Sequence, residues 1–202
     1  MKNRAVFVFL SATLLLTNGF SQTKKAMDYI SVPGPVSFNG KMYKLDWSAH
    51  PAPDFFKQEY LPAGESTGKY NTMLLIDVLT GDKKVKDIAE QKIAELKQMQ
   101  LQNPMVNYNT FENAATSEYM IDFLLTANDA AGNINIIERN VYRYKAFTTA
   151  SGTKGVLLFG ISSRAYEKEV DVFLKALKSN KNELVNKVAK FILPSINFKS
   201  KG

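Results

Sequence analysis

The alternation of apolar and polar positions is most regular between residues 117 and 164. Three stretches there, 117–127, 134–147 and 154–164, are rich in Tyr, Phe, Ile, Leu and Val, which suit a pleated, half-buried surface. Gly-containing turns at 128–133 and 148–153 separate them, so the spacing predicts an antiparallel meander of three long strands. Placing Ala127 opposite Ile134 sets Asp122 across from Arg139 and Glu118 across from Arg143 on one face, with Met120 and Val141 between them. A slip of two would change partners but not faces. With the third strand set the same way, the other face carries a ladder of Tyr119, Tyr142 and Phe159. Ile121, Phe123, Ile136, Leu157 and Ile161 share that face, and Glu138 and Asn140 interrupt it.

Upstream, 36–38 and 41–47 read as a hairpin around Asn39-Gly40, a pair that takes the positive φ angles of a type I′ turn. Residues 49–54 contain two prolines and read as a loop, and 55–61 as a further strand ended by Pro62 and Gly64. The stretch 70–79 is apolar on both faces through Met73, Leu74, Leu75, Ile76 and Val78, which predicts a central strand covered on both sides. Asp82 is placed to cap a helix that runs to about Leu101. Val85, Ile88, Ala89, Lys92, Leu96 and Met99 fall on one of its faces, and Pro104 follows it. A strand is expected over 106–113. Two helices close the pattern. Val170, Phe173, Leu174 and Leu177 form the stripe of the first. The second opens with an Asn180/Glu183 capping box, buries Leu184, Val185, Val188, Ala189 and Ile192, and ends before Pro194.

Strands apolar on two faces need cover on both. The expected class is therefore α+β, a three-layer α/β/α sandwich around a mostly antiparallel sheet. The domain is placed at 36–195, after a flexible segment 22–35 and before a basic tail 196–202. This order of elements resembles the PsbP-like superfamily, which includes photosystem II extrinsic proteins and a Ran-binding nuclear-import factor. The resemblance spans residues 38–192 and rests on element order and on the helix Phe173-Leu174-Lys175-Ala176-Leu177-Lys178-Ser179. It implies a non-enzymatic binding or assembly module. It carries over no functional residue, because no motif matches.

Residues 1–21 have the form of a secretory signal. Lys2 and Arg4 precede an apolar run over 5–17, shorter than the roughly 20 residues of a membrane-spanning helix. Cleavage is expected before Gln22, with cleavage after Gly19 as the other option and an uncleaved anchor as the alternative. The formal charge of +7 would fall to 7 − 2 = +5 on removal of Lys2 and Arg4. Many lysines alternate with acids or fall on predicted helices, so the charge reads as a solvated surface rather than a nucleic-acid patch. The absence of cysteine excludes disulfides, thiolate chemistry, zinc–thiolate sites and a lipoprotein anchor. A single histidine, His50, rules out a multi-histidine metal site within one chain. The protein is thus expected in the periplasm or outside the cell, with no cofactor and with an envelope protein or small ligand as partner.

Three constellations carry candidate chemistry. Trp47, His50 and Asp54 lie at a strand-to-loop junction. They read either as a ligand-binding edge or as a core Trp beside an exposed His. Arg139, Arg143 and Lys145 could grip an anion, but cross-strand pairing of the arginines with Asp122 and Glu118 is the simpler account. Glu138 and Asn140, beside Tyr142, place polar groups on an apolar face. A carboxylate there could serve as acid or base, or reach a hydrogen-bonding neighbour. No phosphate-binding loop or nucleophile elbow is present: Gly64-Glu65-Ser66-Thr67-Gly68 lacks the lysine spacing and Gly160-Ile161-Ser162-Ser163 the second glycine. The expected function is an exported, non-enzymatic binding or assembly module. The alternative is a carboxylate-based hydrolase using Glu138 with Asp54 or His50.

Overall fold

The computed structural model describes residues 26–198, so residues 1–25, which include the expected signal segment, and residues 199–202 lie outside the described residues. Eight strands form one sheet: β1 (Val36–Phe38), β2 (Lys41–Ala52), β3 (Phe55–Leu61), β4 (Thr72–Thr80), β5 (Asn107–Asn113), β6 (Glu118–Asn128), β7 (Ile134–Thr148) and β8 (Lys154–Tyr166). Helices α1 (Val85–Gln102), α2 (Val170–Ser179) and α3 (Lys181–Lys190) complete it. The spatial order is β1-β2-β3-β4-β8-β7-β6-β5, and every neighbouring pair is antiparallel. The chain leaves the centre at β4, crosses one face through α1 to the far edge, and returns through β5 to β8.

This is a correction to the three-layer sandwich. Strand accounts for 46% of the structure and helix for 24%, and the sheet curls into a half-barrel. Three helices cannot roof both faces of eight strands, so curvature and irregular segments enclose the core. On one face, Val85, Ile88, Ala89 and Leu96 of α1 pack on Leu75, Leu79, Ile121, Phe123, Leu125, Tyr142, Tyr144, Val156 and Leu158. The other face is filled by Val185 and Val188 of α3 together with Ile30, Val32 and Ile196 from the chain ends. Residues 26–35 are accordingly no loose leader. Asp28 Oδ1 accepts from Val32 N at 2.9 Å, and Ile30 is fully buried. Nor does the body stop at 195: Ile196 is buried, Asn197 N donates to Ile30 O at 3.2 Å, and Phe198 packs on Phe56.

Turn parity decides which face each meander strand presents. Asn128 pairs with Ile134, and a bulge then shifts the register so that Ala127 meets Ile136. The displacement from the expected register is two, so the faces are kept. Arg139 stands opposite Leu124 and reaches diagonally to Asp122. Its Nε lies 2.8 Å from Oδ1 and its Nη2 3.0 Å from Oδ2. Arg143 reaches Glu118 in the same way, Nε to Oε2, at 2.7 Å. At the next turn no bulge restores parity. Thr148 pairs with Lys154 and Thr149 N donates to Thr153 O at 2.8 Å, one residue off the expected turn. Every side chain of β8 therefore changes face. Phe159, Leu157 and Ile161 join the α3 side, and Tyr142 lies opposite Gly160. Both faces of β8 are apolar, so this inversion meets little energetic resistance.

Close approach fixes Gly155, where a Cβ would lie 2.0 Å from the Leu79 carbonyl oxygen. Other local expectations shift. Strand β2 continues through Pro51, with an irregularity between Ala49 and Ala52. Neither Asp82 nor Asn180 caps a helix through its side chain: the N-cap of α1 is Lys84, and Glu183 pairs with Lys187 instead. Ile192 lies beyond α3 and is exposed. The Asn39-Gly40 turn has φ angles of 49° and 75°, as a type I′ turn requires.

Arg139 Nη2 also donates to Lys181 O at the start of α3, and Arg143 Nη1 donates to Phe191 O at 2.9 Å and Val188 O at 3.2 Å at its end. Glu118→Ala should cost about 3–5 kcal/mol, because it leaves the buried Arg143 charge without its carboxylate; after Arg143→Ala, Glu118 keeps Lys145 Nζ at 3.0 Å. The double variant should cost less than the sum, measured by urea unfolding. Additive losses would show that the two do not act as a pair. Gly155→Ala should lower Tm well beyond an ordinary surface substitution, since a backbone carbonyl must move.

Candidate functional site

Register places one polar row across the α1 face of the sheet. Trp47 stands opposite Glu59 and Glu59 opposite Leu75; Lys57 stands opposite Asp77. Helix α1 packs mainly on β5, β6 and β7 and leaves the β2–β3 side of this face less covered. Trp47 is 40% exposed there, Glu59 is half-buried, and the Lys57 side chain is 17% exposed.

Burial decides the electrostatics of this row. The Glu59 side chain forms no hydrogen bond among the described residues. Burial pushes its carboxyl up from 4.5 to about 7, Lys57 pulls it down in part, and Asp77, Glu138 and Asp46 push it further up. Lys57 Nζ lies 2.6 Å from Asp77 Oδ2. Burial lowers the Lys57 ammonium, but Asp77 outweighs it and holds Lys57 above its ordinary value. Asp77 Oδ1 is buried without a hydrogen-bond partner among the described residues. From α1, Lys92 enters beneath the helix. Its Nζ lies 3.1 Å from Glu95 Oε2 and 5.1 Å from the centre of the Phe123 ring. Burial pulls its ammonium down, offset in part by Glu95.

Further along the same face, Glu138, Asn140 and Tyr142 are buried. Glu138 Oε2 accepts from the Tyr70 hydroxyl at 2.6 Å and from Arg164 Nε at 2.6 Å, while Oε1 accepts from Asn140 Nδ2 at 3.1 Å. Asn140 Oδ1 takes the Ser162 hydroxyl at 2.5 Å. The Arg164 guanidinium lies 4.1 Å over the Tyr70 ring. Burial and then the Glu138 charge push the Tyr70 hydroxyl up. Tyr142 packs edge-on against Phe123 at 4.9 Å, and burial raises its hydroxyl strongly. Glu138 and Asn140 belong to an interior network with Tyr70, Arg164 and Ser162, Tyr142 is held by packing, and Glu138 is 2% exposed.

The Trp47, His50 and Asp54 group disperses. His50 turns to the opposite side, stacked on Phe56 at 4.1 Å and tilted against Tyr29 at 5.7 Å. Asp54 sits in the β2–β3 turn, where Oδ2 pairs with Lys83 at 3.2 Å. Trp47 alone of the three meets the polar row. Glu59 is the residue the sequence did not single out. It alternates with Lys57 in Phe55-Phe56-Lys57-Gln58-Glu59-Tyr60-Leu61, a pattern that also describes a solvated strand face. Among the described residues, no group of three or more His, Asp or Glu is placed to hold a metal ion. No helix there is long and apolar enough to cross a membrane.

Folded Glu59 holds its proton more tightly than the unfolded chain does. Its stabilising contribution is complete below about pH 4.5 and lost as pH rises through about 7. Glu59→Gln should match the wild type at pH 4 and exceed it by about 1–2 kcal/mol at pH 8, after allowance for partial exposure. Urea unfolding at both pH values checks this; parallel pH profiles would contradict the assignment.

A protein-family model matches residues 30–193, nearly the whole described body. No curated protein matches the chain.

Proposed function

We propose that this chain, which belongs to the uncharacterised family matched over residues 30–193, is an exported binding module of the cell envelope. Its ligand docks on the β2–β3 part of the α1 face. The observation that carries this reading is the pairing of exposed Trp47 with half-buried Glu59 on neighbouring strands. An indole presents a flat apolar surface with one hydrogen-bond donor, and a carboxyl close to half-protonated near neutrality both donates and accepts. Together with the Lys57–Asp77 pair they suit a polar ligand with an apolar face, such as a saccharide or a short peptide. The apolar run at 5–17 supports export, and the PsbP-like element order supports a non-enzymatic role.

Because Trp47 is the single tryptophan, intrinsic fluorescence reports directly on this face. Titration of the chain from Gln22 onwards with envelope oligosaccharides and peptides should shift its emission. Trp47→Ala should weaken binding at least tenfold, measured by calorimetry, with little change in Tm. Binding that survives Trp47→Ala would place the ligand elsewhere.

Glu59 also favours a second reading, a carboxylate-based hydrolase. A carboxyl titrating near 7 is in the range of a general acid or base, and it feels the charges of Asp77, Glu138 and Asp46. Under that reading Glu59→Gln abolishes turnover of a saccharide or peptide panel and leaves binding intact. Under the first reading no member of the panel is turned over.

A further inference from the structure

The two edges of the sheet are treated differently. Strand β1 is only three residues long, and Pro33 and Pro35 precede it, which blunts that edge. Strand β5, at the other edge, has seven residues, Asn107-Tyr108-Asn109-Thr110-Phe111-Glu112-Asn113. It carries no Lys, Arg or Pro, and its register with β6 runs from Asn107↔Leu124 to Asn113↔Glu118 without a bulge. Every residue but Tyr108 is exposed. Large apolar side chains are exposed beside it too: Leu101 at 80% and Met105 at 41% just before the strand, and Phe111 at 41% within it. A long, regular edge without Lys, Arg, Pro or a bulge is the feature that monomeric sheet proteins avoid.

We propose that β5 pairs antiparallel with β5 of a second copy of this chain about a two-fold axis at Thr110, joining the two sheets into one. The sequence of the strand is complementary to itself in that register. Thr110 meets Thr110 of the second copy, Asn109 meets Phe111, Tyr108 meets Glu112, and Asn107 meets Asn113. No two like charges stand opposite each other, and the single acid faces a phenol that can donate to it. Any other occupant would need its own complementary strand; a second copy supplies one through symmetry alone. The inference is independent of the ligand face, since Trp47 and Glu59 lie on β2 and β3 near the opposite edge.

The test is sedimentation of the chain from Gln22 onwards, which contains the whole described fold. The wild type should reach dimer mass as concentration rises. Thr110→Lys and Thr110→Glu each set like charges against each other at the axis, and each should weaken dimerisation at least tenfold. An equimolar mixture of the two should recover a dimer, because Lys then faces Glu. Thr110 is exposed, so both variants should keep the wild-type Tm at concentrations where the wild type is monomeric. A wild type that stays monomeric into the millimolar range would overturn the proposal. So would variants that dimerise like the wild type, or a mixture that remains monomeric.

Discussion

The fold turns on two arginines of one strand. Arg139 and Arg143 stand two pleats apart on β7. Each grips a carboxylate of β6 with one part of its guanidinium and a backbone carbonyl of α3 with another. A lysine could not do both, because the planar fork presents its donors in fixed directions. Glu118 shows the balance of forces. Burial pushes its carboxyl up, but the bonds from Arg143 and Lys145 outweigh that, and it titrates below its ordinary value. Arg143 also satisfies carbonyls at the C-terminal end of α3, which the helix cannot satisfy internally. Once α3 is seated, Phe191 stacks on Phe159 at 4.4 Å and meets Phe38 edge-on at 5.5 Å. The chain then runs on to bury Ile196 against the N-terminal segment.

The opposite face is organised by different means. Helix α1 supplies an apolar seal over the meander, and the charges beneath it are resolved pairwise. Glu138 takes Arg164, Asp77 takes Lys57, and Lys92 takes Glu95. Buried ion pairs of this kind add little net stability, but they penalise any packing that separates them. Glu59 is different in having no close cationic bond. Burial pushes it up, the Lys57 charge offsets that in part and neighbouring carboxylates add to the rise, so the carboxyl stays poised near neutrality.

That contrast separates scaffold from candidate site. The groups that looked most chemical in sequence, Glu138, Asn140 and Tyr142, are consumed by internal bonds and packing. Chemistry remains available where helix cover thins over β2 and β3. An aromatic surface and an unpaired carboxyl persist there because nothing else in the fold uses them.

Local patterning determined most of the elements. The strand and helix stretches, the type I′ turn at Asn39-Gly40, the central position of β4 and the buried stripe of α1 all follow from periodicity and turn chemistry, which act over a few residues. The pairs Arg139–Asp122 and Arg143–Glu118 were legible for the same reason: a slip of two in a hairpin preserves faces. Tertiary structure decided what parity and distance control. One residue in the 148–154 turn moved Phe159 away from Tyr142. The curl of the sheet replaced a helical layer, because strand length and helix supply must balance over the whole chain. His50 and Trp47 separated because β2 runs on past Trp47, and two strand residues an odd number of positions apart face opposite sides. Glu59 emerged because its titration is set first by burial, then by Lys57 and by the charges of Asp77, Glu138 and Asp46, and burial is decided only when the sheet is assembled.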